Sequence, residues 1–225
     1  MSGWRTHAGH AVALDIENID TDQLIPARFM STPRRTGYGP FLLHDLRHDA
    51  QGQAQPNFPL NRHPGASVLL TRRNFGSGSS REAAVYALLD FGIRVVIAPS
   101  FGDIFAANAV NNGLLPARIP SDRADTLIGE LGDRCVAAGA DLSARKLTLS
   151  QHTLPFEIDP VWAEKLMMGW DDIDLTRAHT AEIAAFQQKR RQHLAWAFPQ
   201  GARPQDTDTQ ATSQGTGVGD RRFNP

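Results

Sequence analysis

Ser67-Val-Leu-Leu-Thr-Arg-Arg-Asn-Phe-Gly-Ser-Gly-Ser-Ser-Arg-Glu-Ala-Ala-Val-Tyr-Ala-Leu-Leu-Asp-Phe-Gly-Ile-Arg-Val-Val-Ile-Ala98 is the stretch whose reading decides the fold. Its opening, Ser67–Thr71, is a short apolar run bounded by charge, as expected of a buried strand. Its close, Arg94–Ala98, is β-branched at its centre and reads as a second strand. Between them Ala84, Leu88 and Phe91 recur at helical spacing over about Arg81–Phe91, and Gly92 follows as a natural stop. Strand, helix and strand at this distance make a βαβ unit, hence a parallel pair joined by a right-handed crossover.

The turn inside this unit, Asn74–Glu82, carries the chemistry. Its small residues let the backbone turn tightly, two hydroxyls sit where the helix begins, and Arg81 follows at once, an arrangement suited to a carboxylate or phosphate. A dinucleotide fingerprint would need a third glycine where Arg81 stands. It would also need an acidic residue about 20 positions on, where the chain reads Val-Val-Ile-Ala. No Gly-Lys-Ser/Thr phosphate loop occurs, so nucleotide binding is disfavoured. The plain alternative is a tight turn with Ser79 or Ser80 as helix cap.

Towards the amino terminus, His10–Glu17 alternates at Val12, Leu14 and Ile16 and reads as a strand. Asn18-Ile-Asp-Thr-Asp-Gln-Leu-Ile-Pro26 follows as a loop with two carboxylates. They either serve a site or satisfy their own backbone in an Asx turn. Ser31–Pro40 is an irregular, exposed loop. Its adjacent Arg34 and Arg35 suit forked recognition of a carboxylate, or else form a solvated basic turn. Ala50–Pro64 is a second irregular connection.

Towards the carboxyl terminus the spacing predicts a helix over Asp103–Asn111 ending at Asn112-Gly113, and a strand over Leu114–Ile119. A helix over Ser121–Ala138, capped by Ser121 and containing Cys135 as packing, comes next. A hairpin from Lys146–Ser150 and Leu154–Ile158 precedes a helix opened by Asp159-Pro160. A polar helix covers about Thr176–His193. From Pro199 the chain has almost no apolar residues and is expected to be disordered. Asn108, Asn111 and Asn112 read as structural, and no internal repeat is present.

Composition sets the outer limits. With 225 residues, 41% hydrophobic and 21% charged, the chain reads as one soluble globular domain. A formal net charge of −1 leaves no global field to recruit nucleic acid or an anionic membrane. One cysteine, Cys135, excludes an internal disulfide and a cluster held by this chain's thiolates alone. The eight histidines have no paired metal-ligand spacing. Met1–Gly9 lacks the apolar core of a signal peptide, and no run approaches the roughly 18 apolar residues of a membrane span. These features point to a cytoplasmic protein.

Five ordered segments together resemble a known family: Asn18–Phe29, Arg35-Thr36-Gly37, Asn74–Glu82, Ser100–Phe105 and Asn112–Pro116. They resemble the small subunits of bacterial 3-isopropylmalate dehydratases, the separate form of the swivelling domain of aconitase-type hydro-lyases. The likeness runs over about residues 3 to 198. It implies an α/β swivelling domain with a mixed sheet and flanking helices, as in the C-terminal domain of aconitase-like hydro-lyases. That domain would span residues 1–198 with a C-terminal helical extension, and 199–225 would be a low-complexity tail.

The same resemblance implies a hydro-lyase of leucine biosynthesis that interconverts 2- and 3-isopropylmalate by dehydration and rehydration, active only with a large subunit. That partner would carry a [4Fe–4S] cluster on its own cysteines, this chain binding neither cofactor nor metal. Carried over by position, Ser79 would be the base that removes a proton next to a carboxylate. Arg81 would hold that carboxylate with Ser80 beside it, Asp22 would orient catalytic groups, and Arg35 would grip a second carboxylate. A serine hydroxyl becomes basic only if its alkoxide is stabilised, which a helix amino end, a guanidinium and turn amides would all do.

The chain also departs from the family pattern. Ser77 stands where many members have cysteine, Ala83 where histidine is usual, and Val85 where proline is common. The Ser31–Pro40 loop differs too. Two rival readings follow: the same chemistry on a smaller acid such as citraconate or 2-methylmalate, and a non-catalytic partner subunit.

Overall fold

The computed structural model describes residues 2–197. The expected disorder from Pro199 onward lies outside the described residues. Residues up to His179 form one compact unit, and those from Thr180 a second.

Seven strands make one sheet in the first unit: β1 (Thr6–Leu14), β2 (Val68–Thr71), β3 (Val95–Ala98), β4 (Leu115–Arg118), β5 (Val136–Asp141), β6 (Lys146–Leu149) and β7 (His152–Pro155). Their order is β4-β3-β2-β1-β5-β6-β7. β1 to β4 run parallel, with Leu14 opposite Thr71, Val68 opposite Val95 and Ala98 opposite Arg118. β5, β6 and β7 continue antiparallel. The mixed sheet expected from the sequence is therefore present.

The helices of this unit are α1 (Thr21–Leu24), α2 (His44–Arg47), α3 (Pro59–Arg62), α4 (Glu82–Phe91), α5 (Asp103–Asn111), α6 (Ser121–Leu131), α7 (Pro160–Met168) and α8 (Asp172–Ala178). The second unit holds α9 (Thr180–His193) and a 3-10 turn, Ala195–Ala197. No helix among the described residues is long and apolar enough to cross a membrane.

Alternation within the parallel strands explains their uninterrupted apolar sequences. Val12, Leu14, Leu69 and Val96 join the core that receives Ala84 and Leu88 of α4. Their neighbours Ala11, Ala13, Leu70 and Ile97 join the core that receives Leu127 and Ile128 of α6. Strands covered on both faces have no side left for polar residues. The antiparallel extension is covered on one face, so β6 alternates between buried and exposed positions.

Three expectations need correction. The helix expected over Ser121–Ala138 ends at Leu131, and Gly132 stops it with φ +51°. Ser121 is its first residue rather than a side-chain cap. Cys135 lies in the connection, half-buried against the core, and Val136–Ala138 open β5. The partner of β5 is Thr6–Ala11, so the early strand begins at Thr6 and ends at Leu14. Last, the polar helix expected over Thr176–His193 is two helices: α8 begins earlier, where Asp171 caps it through the N–H groups of Ile173 and Asp174, and it ends with His179 as its C-cap, before α9.

Two others shift: the second strand of the hairpin, expected over Leu154–Ile158, is His152–Pro155, and the connection Ala50–Pro64 contains the short helix α3; the opening of α7 is as expected. Asp159 accepts hydrogen bonds from the N–H groups of Val161 and Trp162, and Pro160 opens α7. Lys165 of α7 is buried and donates to Asn111 Oδ1 at 2.5 Å and Asp172 Oδ1 at 2.6 Å. This confirms Asn111 as a structural residue.

Candidate active site

All four parallel strands deliver their carboxyl ends to one edge, where ligands of open α/β sheets usually bind. Asn18 and Asn74, just beyond β1 and β2, both take left-handed backbone conformations at φ 56° and 60°. Asparagine tolerates that region better than most residues. The two are joined by a hydrogen bond from Asn74 Nδ2 to Asn18 Oδ1 at 2.9 Å.

Beyond them the loops run side by side as the strands did. Gly76 N–H donates to Ile19 O at 2.7 Å and Thr21 N–H to Ser77 O at 2.8 Å. Asp20 and Ser77 keep a parallel register, and Phe75 pairs with Phe101 in the same way. Gly76 has φ +74°, and a Cβ there would lie 2.2 Å from the Phe105 ring. Glycine is thus required by both backbone and space. Phe75, Phe101 and Phe105 form an aromatic floor beneath the turn.

Ser79 N–H donates to Thr21 Oγ1 at 3.1 Å, and Thr21 is only 1% exposed. Both Ser79 and Ser80 are exposed. Among the described residues neither hydroxyl has a hydrogen-bond partner. Arg81 occupies the cap position of α4, and no side chain caps that end. The capping reading of Ser79 and Ser80 is therefore not what the turn builds. The amino end of α4 is left without a side-chain cap, two residues after Ser80.

The two carboxylates of the first loop separate into different tasks. Asp20 is consumed locally: its Oδ1 accepts from Gln23 N–H at 2.7 Å, and Gln23 Oε1 accepts from Asp20 N–H at 3.0 Å, a capping box on α1. Asp22 is 53% exposed at its side chain and ion-pairs with Arg81, whose side chain is 24% exposed. Ala83 is buried in the apolar cluster rather than exposed beside Ser79.

The arginine pair also divides. Arg34 donates to both Asp90 oxygens, at 2.7 and 3.1 Å, and lies 4.3 Å from the Tyr86 ring centroid. Arg35 sits in the 3-10 turn Arg34–Thr36, exposed and without a hydrogen bond or ion pair among the described residues. The structure thus brings Asp22, Ser79, Ser80 and Arg81 together and leaves Arg35 on a turn fastened to the far end of α4. Sequence reasoning missed Thr21, Asp90 and the Asn18–Asn74 pair. Thr21 could have been found, because a β-branched hydroxyl lies between the two acids.

A cleft of about 410 Å³ opens between Phe101, Arg118, Glu157, Asp159 and Trp162. None of the five predicted residues lines it. Among the described residues no group of three or more histidine, cysteine or acidic side chains could hold a metal ion. A [4Fe–4S] cluster requires several thiolates. Cys135 is the only cysteine, and burial pushes its thiol up, so the residues of this chain do not fit such a group.

Comparison with known proteins adds the following. The aconitase C-terminal domain family matches residues 1–122. The 3-isopropylmalate dehydratase small subunit of Bacillus subtilis is 42% identical over 197 residues, covering 86% of this chain and 99% of that one. Its namesake from Rhodospirillum centenum is 42% identical over 202 residues, covering 88% of this chain and all of the other. Among solved structures, the 3-isopropylmalate dehydratase of Methanocaldococcus jannaschii superposes with a TM-score of 0.59. It is 27% identical and covers 80% of this chain and 99% of its own.

Proposed function

The chain belongs to the 3-isopropylmalate dehydratase small subunits of the aconitase C-terminal domain family, and from that premise we propose how its residues serve the reaction. It is a small subunit of a hydro-lyase of leucine biosynthesis, interconverting 2- and 3-isopropylmalate. A large subunit docks over the open edge of the sheet and completes the site. The [4Fe–4S] cluster belongs to that partner, in keeping with the single thiol here. The assembly works in the cytoplasm.

Within this chain Ser79 acts as the base. Its hydroxyl is exposed and unpaired, beside the uncapped amino end of α4 and one residue removed from a guanidinium. Both neighbours stabilise an alkoxide. Ser79 accepts the proton from the carbon next to a carboxylate and returns it on the reverse step. Arg81 holds that carboxylate with Ser80 beside it. Its present contact with Asp22 keeps the guanidinium aimed along the turn and leaves donors free for the substrate. Arg35 takes the second carboxylate.

The observation that carries this reading is the Ser79 hydroxyl, presented without a partner while its own N–H is fixed to buried Thr21. The test is to reconstitute the chain with its cluster-loaded large subunit and compare wild type with Ser79→Ala on 2- and 3-isopropylmalate. Turnover is expected to fall by about 100-fold or more; undiminished turnover would remove serine from the base role. Running citraconate and 2-methylmalate alongside identifies the acid, and inactivity of the wild-type pair on all of them would leave only a binding role.

A further inference from the structure

Asp90 stands in the last turn of α4, where a carboxylate meets the negative end of the helix dipole. That turn contains no basic residue to offset it. An acid in such a place is unfavourable unless it is held by outside donors, and two hold it here. Arg34 forks onto both oxygens at 2.7 and 3.1 Å, and Tyr38 N–H donates to Oδ2 at 2.7 Å.

These two donors flank Arg35 in the sequence. Between them the chain makes one 3-10 turn, closed by Thr36 N–H to Pro33 O at 2.9 Å and Gly37 N–H to Arg34 O at 3.0 Å. Gly37 releases the turn at φ +84°. Tyr38 then sends its hydroxyl back to Thr32 O at 3.1 Å. Gly39 packs so closely that a Cβ would lie 2.8 Å from the backbone carbonyl of Asp90. The turn is fixed on both sides while Arg35 itself stays exposed and unpaired among the described residues.

Arg34 is held from a second direction. Its guanidinium lies over the ring of Tyr86, one turn back on α4 from Asp90. Glu82, a further turn back, bonds to Tyr86 and accepts from Asn112 Nδ2 at 2.7 Å. Arg34 therefore has its fork on Asp90 and its π-face on Tyr86, which leaves Arg35 as the arginine of this turn with no partner among the described residues.

We propose that Asp90 is a positioning residue. It clamps the 34–38 turn to the carboxyl end of α4 and so sets where the Arg35 guanidinium meets the second carboxylate of the substrate. This inference rests on the role given to Arg35 above. Its physical content is that α4 acts as a spacer. Ser79, Ser80 and Arg81 lie at its amino end and Asp90 at its other, and the rise from Glu82 to Asp90 is about 12 Å. A rigid helix keeps the two carboxylate grips at a constant separation.

The test uses the reconstituted large–small complex. Steady-state kinetics on isopropylmalate are measured for Asp90→Asn, Arg35→Ala and the double variant, with melting and co-purification as fold controls. Asp90→Asn keeps the size and one acceptor but loses the charge. It is expected to raise KM about tenfold with kcat within about twofold, and to add nothing further in the Arg35→Ala background. Arg34→Lys keeps the charge without the fork and should raise KM less; it stands in if Asp90→Asn does not fold. An unchanged KM in Asp90→Asn beside a raised KM in Arg35→Ala overturns the positioning role alone. Additive effects in the double variant overturn it as well. An unchanged KM in Arg35→Ala overturns the role of Arg35 itself, and the positioning role with it.

Discussion

Two arginine–aspartate pairs lie at opposite ends of α4; in each, one side chain is about a quarter exposed and the other about half, yet the contacts they make differ. At the start, Arg81 touches Asp22 through one nitrogen and one oxygen, and half of the Asp22 side chain faces solvent. At the end, Arg34 forks onto Asp90, stacks over Tyr86, and shares the carboxylate with a backbone N–H; Asp90 is 22% exposed. Open, single-contact pairs contribute little to stability because water competes for both partners. The same weakness suits the role proposed for Arg81, since exchanging its partner for a substrate carboxylate would not dismantle the fold. Forked and stacked pairs are worth more as geometry than as energy.

The largest expected effect tests the open pair. Arg81→Ala should lower kcat/KM of the reconstituted complex by about 100-fold, the cost of losing a charge-assisted contact to the substrate. A loss below about threefold would make Arg81 as structural as Arg34 and erase the contrast. Next in size is the floor beneath that pair. Gly76→Ala drives a methyl into Phe105 and forces a left-handed alanine, so it should destabilise the chain by about 2 kcal/mol in chemical denaturation.

A direct comparison of the pairs comes third. Arg34→Ala should lower unfolding free energy by about 1 kcal/mol, since a fork and a ring contact are lost together. Arg81→Ala should change it by less than about 0.5 kcal/mol. Equal values would show that fork and ring add nothing.

The smallest effect concerns a third exposed pair, Arg28 and Asp45. The hydrogen bond from Arg28 holds the Asp45 carboxyl down at about 2. A depressed carboxyl stabilises the folded state above its ordinary pKa of about 3.9, and that gain is lost as pH falls through the folded value. The melting temperature of Asp45→Asn should therefore sit slightly below wild type at neutral pH. The two curves should converge as pH drops from about 4 towards 2. A gap that stays constant with pH would assign the difference to packing instead.

The parallel core is legible in the sequence because each of its signals is local. Residues 68–70 and Val95–Ala98 are apolar throughout, the α4 stripe repeats at helical period, and Gly92 ends it. β5 is not legible. Cys135-Val-Ala-Ala-Gly-Ala has small residues that suit a helix as well as a strand. It becomes a strand by pairing with Thr6–Ala11, which is equally indistinct by itself. Each half of that pair needs the other, and they are far apart in the chain. The early start of α8 is legible in Asp171-x-x-Asp174, a capping signal; the break at His179 has no such local mark.

Within the site, Ser79, Arg81, Asp22 and Arg35 were singled out by the family resemblance; the residues by themselves could not tell Asp20 from Asp22 or Arg34 from Arg35. What separates them is which backbone N–H or distant carboxylate lies within reach, and in the case of Arg34 that carboxylate comes from Asp90 on another element.

The paired asparagines at positions 18 and 74 carry a last consequence. Because the loops they open stay in register with the strands below, the amides of Gly76 and Thr21 are anchored to the sheet itself. Deuterium uptake there should be as slow as in the central strands, with Ser80 exchanging fast beside them. If these loops form the proposed site, the subunit carries its share already ordered before a partner arrives, and assembly there has little loop-ordering entropy to overcome.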